Sequence, residues 1–188
     1  MGLIFKNILK VDRDTQNLVR KWRNSDNVRK YMCNEKMISE EAHLNWLKSL
    51  ESTNKKEVYV VLYNELPIGV ISVDDIDFEH KKCEWGFYIY DISLRGKGIG
   101  KQLKISMADY IFNKLGMEKL NSIVLEINPN VIEMHKKLGF QIEGIRRKNI
   151  IKGGKRIDVY ELGILKEEWL ANRENIEITN EGLAVFEK

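Results

Sequence analysis

The sequence predicts an α/β fold of the α+β type, in which helices flank a mixed, mostly antiparallel central sheet. Three strand-like segments follow one another between residues 58 and 90 with no helical segment among them, which is typical of an antiparallel meander. Two amphipathic helical segments precede this meander, and a helix, a strand, a helix and a hairpin come after it. The predicted order is β-α-α-β-β-β-α-β-α-β-β, which is not a simple repetition of βαβ units.

The first third of the chain is predicted to hold one short strand and two helices. The strand lies around residues 3–9, and a break at residues 25–27 ends the first helical pattern. Ser39 has a side chain that commonly caps a helix N-terminus, so the second helix is predicted to begin there. The apolar residues at helical spacing are Leu18, Val19, Trp22 and Val28 in the first segment, and Leu44, Leu47 and Leu50 in the second.

The remaining elements alternate between strands and helices. The meander strands are predicted at residues 58–63, 66–73 and 83–90, with a polar turn at Asn64 and Glu65. After them come a glycine-rich turn, a helix to Leu115, a strand at 123–127, a helix at 130–138 and a hairpin from 140 to 165. No linker divides this region, so we predict one domain over residues 1–170 and a polar tail of unknown role over residues 171–188.

Composition excludes several function classes. The 188 residues are 43% hydrophobic and 31% charged, which argues against disorder, and a net charge of +3 is too small to indicate nucleic-acid binding. The apolar runs are strand-length and the N-terminus lacks the layout of a secretory signal, so we expect no membrane insertion. Cys33 and Cys83 form neither a disulfide framework nor a metal-binding spacing. These features predict a cytoplasmic protein without a metal.

A glycine-rich turn at residues 95–101 carries the strongest motif. Glycines let successive N–H groups point into one concavity, and the helix after the turn adds a partial positive charge, which suits a pyrophosphate. The turn does not match the dinucleotide fingerprint, because Lys101 stands where the third glycine belongs. It does not match a P-loop either, because Gln102 replaces the required serine or threonine. It matches R-x-x-G-x-G, with Arg95, Gly98 and Gly100.

Through this motif, the chain resembles the GNAT superfamily of acetyl-CoA-dependent N-acetyltransferases. Residues 128–140, NPNVIEMHKKLGF, agree independently, since they are similar to the strand-Asn-helix-Gly-Phe element of that family. The resemblance covers residues 5–165 and implies a V-shaped splay between the fourth and fifth strands that holds the pantetheine arm of acetyl-CoA. The implied contacts to acetyl-CoA are Phe87, Tyr88, Ile89, Arg95, Gly96, Lys97, Gly98, Ile99, Gly100, Lys101 and Asn128. Either lysine alone could instead be a solvated surface charge.

Two residues are candidates for proton transfer. Glu84 shares a strand face with Gly86 and Tyr88, and similar family members carry a glutamate here that accepts the proton of the amine. The alternative for Glu84 is an exposed glutamate paired with Lys82. His135 stands where the resemblance implies a tyrosine that protonates the CoA sulfur, so it is the candidate acid. The alternatives are that His135 lies on the helix surface or beside CoA, and that the thiolate leaves without an acid in positive surroundings.

The segment from residue 22 to residue 47 suggests the acceptor. Its W-R-N, Y-M and E-x-H-x-x-W-L arrangement resembles the nucleotide-linked aminosugar N-acetyltransferases of the pseudaminic acid pathway. That resemblance implies acetylation of the 4-amino group of a UDP-linked 4-amino-4,6-dideoxy sugar. Trp22, Arg23, Arg29 and Tyr31 are then the expected substrate-binding residues, since arginine suits phosphate. The alternative for each of Arg23, Arg29 and Tyr31 is a residue on the helix surface. His43 is expected to be structural.

Other acceptors and another class of protein remain open at this point. Polyamine acetyltransferases share the core motifs, and a cationic acceptor would suit the acidic cluster of Asp74, Asp75, Asp77 and Glu79. Acetylation of ribosomal-protein N-termini is a further alternative. A non-catalytic module that senses acyl-CoA is the alternative outside the enzyme class. A homodimer is also expected, because the terminal hairpin would leave a sheet edge uncovered.

Overall fold

The computed structural model describes residues 2–94, 96–176 and 183–187. The strands are β1 (Leu3–Asn7), β2 (Glu57–Tyr63), β3 (Leu66–Asp77), β4 (Lys82–Ile89), β5 (Lys119–Leu125), β6 (Gln141–Lys152), β7 (Lys155–Leu165) and β8 (Val185–Glu187). The helices are α1 (Arg13–Asn24), α2 (Asp26–Arg29), α3 (Glu40–Glu51), α4 (Ile99–Asn113), α5 (Pro129–Lys137) and α6 (Lys166–Arg173). The predicted fold class is confirmed.

Within the described residues, the strands form one sheet in the order β6-β7-β5-β4-β3-β2-β1-β8. The β4–β5 and β1–β8 pairs are parallel, and the other neighbours are antiparallel. β4 and β5 pair only from Lys82 opposite Lys119 to Glu84 opposite Asn121. Beyond Glu84 the strand pairs with β3 alone, so the two central strands diverge as the predicted V-shaped splay.

The alternation of side chains along β4 divides the core into two layers. Trp85 and its neighbour Cys83 face the larger core, to which α4, α5 and α6 contribute Leu103, Ile132 and Trp169. Tyr88 faces the smaller core, which α1 and α3 complete from the other side of the sheet. The splay therefore opens between two helical layers.

The described C-terminal residues pack on the rest of the fold, on both sides of the boundary expected at residue 170, and the division at that residue stays a prediction. Helix α6 runs through that boundary, and Trp169 is buried, with its indole N–H donating to Asp109 Oδ1 at 2.9 Å. β8 adds a parallel strand to β1, and Phe186 stacks on Tyr110 with ring centroids 4.3 Å apart. Neither α6 nor β8 was predicted from the sequence, because both contain few apolar residues. Residues 177–182 and 188 lie outside the described residues.

The longest described helix, α4, has 15 residues, and no helix in the described part of the chain has both the length and the apolar character of a membrane span.

Candidate active site

The open edge of β4 lies at the centre of the candidate site. Phe87, Tyr88 and Ile89 pair with β3, opposite Ile71, Val70 and Gly69. On the other edge, the register with β5 ends at Glu84 within the described residues. Backbone N–H and C=O groups on that edge are available to an extended ligand that carries amides. The expected pairing of residues 87–89 with pantetheine is compatible with this geometry and stays a prediction.

The glycine-rich turn leads directly into α4. Gly96 and Gly98 have φ values of 77° and 82°, which lie in the left-handed region that favours glycine. Gly98 is the N-cap and has no side chain, so no side chain caps the N–H groups at the start of α4. Lys97 and Lys101 are exposed beside them. The turn therefore has the geometry of an anion site, and Arg95 lies outside the described residues.

Asn128 lies on the opposite side of the splay, at the start of α5. Its backbone N–H donates to the carbonyl of Leu125 at 2.9 Å, and its side chain does not cap the helix. The half-buried carboxamide is therefore not used by the helix terminus. This position suits the predicted bond to the pantetheine arm, which stays a prediction.

Glu84 occupies the vertex of the splay. It is the last residue of β4 that pairs with β5, and it also pairs with Asp74 of β3. Burial raises the pKa of Glu84, and the negative charges of Asp75 and Asp74 raise it further. Glu84 is half-buried, and no ion pair between Glu84 and Lys82 is formed in the described structure. A carboxylate with a raised pKa at this vertex is suited to accept a proton.

His135 is a core residue, and its expected role as proton donor is not supported by its surroundings. The ring is 0% exposed and packs against Trp85, Phe87 and Phe140. Nδ1 donates to the carbonyl of Val131 at 2.8 Å, and Nε2 accepts from Trp85 Nε1 at 3.2 Å. Burial lowers the pKa of His135 to about 4. The imidazole is therefore neutral near pH 7, and its Nε2 carries no proton for a departing thiolate.

A cavity of about 520 Å³ lies on the same face of β4 as Glu84, between the sheet and helices α1 and α3. Most of its surface is apolar, and charged groups enter it from both the helices and the sheet. Its lining consists of Val19, Arg20, Arg23, Met32, Ile38, Ala42, His43, Trp46, Lys56, Val58, Val70, Ser72, Asp74, Gly86, Phe87 and Tyr88. This cavity is the candidate acceptor site.

Of the four expected acceptor residues, all of them described, only Arg23 lines this cavity. Trp22 is buried in the smaller core and stacks on Tyr90 with ring centroids 5.4 Å apart. Arg29 pairs with Asp26 on α2 itself, because the two lie one helical turn apart. Tyr31 lies outside the lining, and its ring is covered by the Lys30 ammonium. The roles of these three residues in substrate binding stay predictions, which this cavity does not support.

Two arginines leave buried N–H groups without a partner in this region of the described structure. Arg23 Nη2 donates to the carbonyl of Asn34 at 2.8 Å, whereas Arg23 Nη1 and Arg20 Nε are buried and unpaired. An unpaired buried donor is costly, so both guanidinium groups are suited to an anion entering the cavity. Arg20 was not identified from the sequence, although its position one turn from Arg23 on α1 was a usable signal.

The acidic cluster expected for a cationic acceptor is dispersed in the structure. Only Asp74 lines the cavity, and it is ion-paired with Lys56 and accepts a hydrogen bond from Ser72. Asp77 bonds His80 in the turn after β3. The cavity is therefore not an acidic site of the kind that the cluster implied.

His43 lines the cavity as a structural residue. Its Nε2 donates to the carbonyl of Gln16 at 2.9 Å, which ties α3 to α1. Burial lowers the pKa of His43. This agrees with the expectation that His43 is structural.

Lys104 is a buried cation that the sequence did not indicate. Lys104 on α4 is 0% exposed, although the helical pattern around it offered no reason to single it out.

The described part of the chain contains no group of three or more His, Cys, Asp and Glu side chains that could hold a metal ion.

The sequence of the chain is similar to a known protein family and to several known acetyltransferases. The family model described as an acetyltransferase (GNAT) domain matches residues 11–160. Acetyltransferase PseH of Campylobacter jejuni is 30% identical over 137 residues, which are 73% of this chain and 83% of that protein. Spermidine N(1)-acetyltransferase of Escherichia coli is 27% identical over 103 residues, which are 55% of each chain.

Solved structures show the same fold. Spermidine N-acetyltransferase from Vibrio cholerae, in complex with CoA and spermine, superposes with a TM-score of 0.82 at 22% identity. That match covers 90% of this chain and 98% of the other. A dodecameric structure of the Vibrio cholerae enzyme has a TM-score of 0.75 at 22% identity over 92% of this chain and 98% of that chain.

Proposed function

Because the chain belongs to the GNAT family of N-acetyltransferases, we propose that it transfers the acetyl group of acetyl-CoA to the amino group of a nucleotide-linked amino sugar. The acceptor we propose is the 4-amino group of a UDP-linked 4-amino-4,6-dideoxy sugar, namely UDP-4-amino-4,6-dideoxy-N-acetyl-β-L-altrosamine. The segment from residue 22 to residue 47 supports this proposal through its resemblance to the aminosugar acetyltransferases.

The observation that carries the proposal is a pair of unpaired guanidinium N–H groups, one on each of two arginines that line the acceptor cavity. Arg20 Nε and Arg23 Nη1 are buried there without partners. A guanidinium fork binds phosphate oxygens with two parallel hydrogen bonds, so a diphosphate would satisfy both groups. A polyamine would instead bring further positive charge to a cavity whose described carboxylate, Asp74, is already paired with Lys56. The charge balance therefore favours an anionic acceptor.

The residues around the splay fit acetyl-CoA as donor. The glycine-rich turn offers N–H groups without a side-chain cap for the pyrophosphate, and the open edge of β4 offers backbone groups for the pantetheine amides. Acetyl-CoA supplies an activated acetyl thioester. In the proposed mechanism, Glu84 accepts the proton of the attacking amine, either directly or through water. The β4 edge positions the thioester carbonyl for attack from the acceptor cavity.

The proposed location is the cytoplasm. Cys33, which is exposed, and Cys83, which is buried, are both free thiols. Free thiols are the rule in a reducing compartment.

A panel of acceptor amines tests the proposal. The chain is mixed with acetyl-CoA and with the UDP-linked 4-amino sugar, spermidine or an N-terminal peptide, and release of the CoA thiol is measured. We expect release with the UDP-linked sugar and none above background with spermidine or the peptide. Turnover of spermidine alone would overturn the proposed acceptor. Binding of acetyl-CoA without turnover of any amine would favour the sensor.

A further inference from the structure

Lys104 is a buried cation on the helix that follows the glycine-rich turn. It lies in the second turn of α4, and its side chain is 0% exposed within the larger core. Lysine is among the residues that are almost never fully buried unless they are paired. Among the described residues, no carboxylate forms an ion pair with Lys104. Burying an unpaired charge lowers the stability of the folded chain. A ligand that brings an anion beside Lys104 would offset that cost.

The Lys104 ammonium contacts only uncharged groups among the described residues. Its Nζ contacts the sulfur of Met134 on α5, and it lies 4.6 Å from the ring centroid of Phe87 on β4. A thioether and an aromatic face both attract a cation weakly, and neither neutralises it. The nearby ring of His135 is neutral. The ammonium therefore keeps an unmet preference for an anion.

The position of these contacts connects Lys104 with the splay. Phe87 lies three residues beyond Glu84, on the part of β4 that has separated from β5. Met134 lies on the helix after β5. The Phe87 side chain packs against the larger core, on the face of β4 opposite to Glu84, and the ammonium over its ring lies on that side of the strand. Phe87 is also among the residues that border the acceptor cavity. A carboxylate and an ammonium thus flank the splay from its two faces.

We propose that Lys104 is the group that stabilises and protonates the sulfur of CoA as it leaves. This inference rests on the proposed function, because it requires acetyl-CoA in the splay. The amine nitrogen forms its bond to the carbonyl carbon and loses a proton to Glu84. The bond between that carbon and sulfur breaks, the electron pair stays on sulfur, and the sulfur takes a proton from the Lys104 ammonium. Solvent then carries the proton from Glu84 back to Lys104, which restores both groups.

The proton affinity of Lys104 suits this role. Burial lowers the pKa of Lys104 to about 7. An ordinary thiol has a pKa of about 8.5, so a proton moves downhill from this ammonium to a thiolate. An exposed lysine with a pKa of about 10.4 would hold its proton instead. The burial that destabilises the charged form of Lys104 therefore also makes its ammonium acidic enough to protonate a thiolate.

The ionisation of bound CoA tests this inference without any acceptor. The thiolate fraction of CoA bound to the chain is measured from thiolate ultraviolet absorbance across a pH series, with desulfo-CoA as the blank. At and below about pH 7, where a large part of Lys104 is charged, we expect this thiolate fraction to be several-fold above that of free CoA, because a cation lies beside the sulfur. In Lys104→Met the thiolate fraction should return to that of free CoA. Lys114→Met, an exposed lysine at the end of the same helix, is the matched control.

Each outcome separates the inference from the proposed function. CoA binding with the same thiolate fraction near pH 7 in Lys104→Met and the unmodified chain would overturn the role of Lys104 and leave the proposed function standing. Absence of CoA binding by the unmodified chain would overturn both. With an accepted amine, Lys104→Met should lower kcat about 10²-fold with little change in the KM for acetyl-CoA. A thermal melt confirms that this variant is folded, which is expected because Met replaces a side chain among apolar neighbours.

Discussion

Glu84 combines the two properties that a base at the splay needs, which are a position at its vertex and a raised pKa. Its backbone pairs with β3 and β5 at once, so Glu84 lies at the point where β4 and β5 diverge. Burial and the charges of Asp75 and Asp74 raise its pKa. The sequence predicted this residue because strand alternation and the family motif both act locally, within one strand.

Replacing Glu84 by glutamine should lower kcat about 10²-fold or more, because an amide cannot accept the proton of the amine. In the unmodified chain, kcat/KM should fall as the pH decreases through the raised pKa of Glu84, since only the ionised carboxylate is a base. This acid limb should begin at a higher pH than an ordinary glutamate gives, and it should vanish in Glu84→Gln. Glu79→Gln, in the exposed turn after β3, is the control. Full kcat in Glu84→Gln would rule out Glu84 as the base.

His135 should matter for stability and leave catalysis nearly unchanged. Its folded pKa of about 4 lies below the ordinary value of 6.5, so between those pH values the unfolded chain binds a proton that the folded chain does not. The contribution of His135 to the free energy of unfolding therefore decreases as the pH falls from 6.5 toward 4. His135→Phe removes this pH dependence, and it costs about 1–3 kcal/mol near pH 7 because Trp85 Nε1 loses its acceptor.

Urea unfolding at several pH values, together with kcat, measures both effects of His135→Phe. We expect kcat within a few-fold of the unmodified chain. A loss of kcat as large as that of Lys104→Met, with stability and its pH dependence unchanged, would restore His135 as the proton donor.

At the scale of elements, the C-terminal strand is the largest difference between expectation and structure. Phe186 on β8 reaches the larger core, where its ring lies edge-on to Phe5 at 4.9 Å and stacks on Tyr110. A three-residue strand with one aromatic side chain gives no periodic signal. Its place depends on the exposed edge of β1 at the other end of the chain, which a local pattern does not contain.

Phe186→Ala should lower the free energy of unfolding by about 2 kcal/mol, because a half-buried aromatic side chain loses its ring contacts. Val185→Ala, next to it and 61% exposed, should change it by less than about 0.5 kcal/mol. Denaturant unfolding of both variants measures the difference. Equal stabilities of the two variants would show that β8 does not dock on the sheet in solution.

The bounds of β5 also differ between the sequence prediction and the structure, because pairing between distant strands determines where β5 begins. The sequence placed this strand at residues 123–127, where apolar residues run together, whereas the structure begins it at Lys119. Lys119 and Asn121, which pair with β4, are polar and gave no strand signal. The splay was therefore predicted from family resemblance, and its vertex could only be located by the register between strands distant in sequence.

For the whole molecule, net charge is a poor guide to the ligand. The formal charge is only +3, yet Arg20 and Arg23 concentrate positive charge in the acceptor cavity while Lys97 and Lys101 flank the glycine-rich turn. The motif and Arg23 were predictable, since each is local in sequence. Arg20 lies one turn from Arg23 on α1 and had that local signal alone. The cavity and Lys104 were not predictable, because their environments arise from elements that meet only in the folded chain. The expected homodimer stays a prediction, with β6 as an uncovered edge of the described sheet.

The central claim is that the guanidinium pair selects a nucleotide-linked acceptor, and a comparison of two matched acceptors tests it most directly. The measurement is the ratio of kcat/KM for the UDP-linked 4-amino sugar to kcat/KM for the same amino sugar without UDP. We expect a ratio of about 10² or more in the unmodified chain, because only the linked sugar satisfies the buried arginine donors. The Arg20→Met/Arg23→Met double variant should lose most of that preference. Equal kcat/KM values for the two sugars in the unmodified chain would contradict the claim.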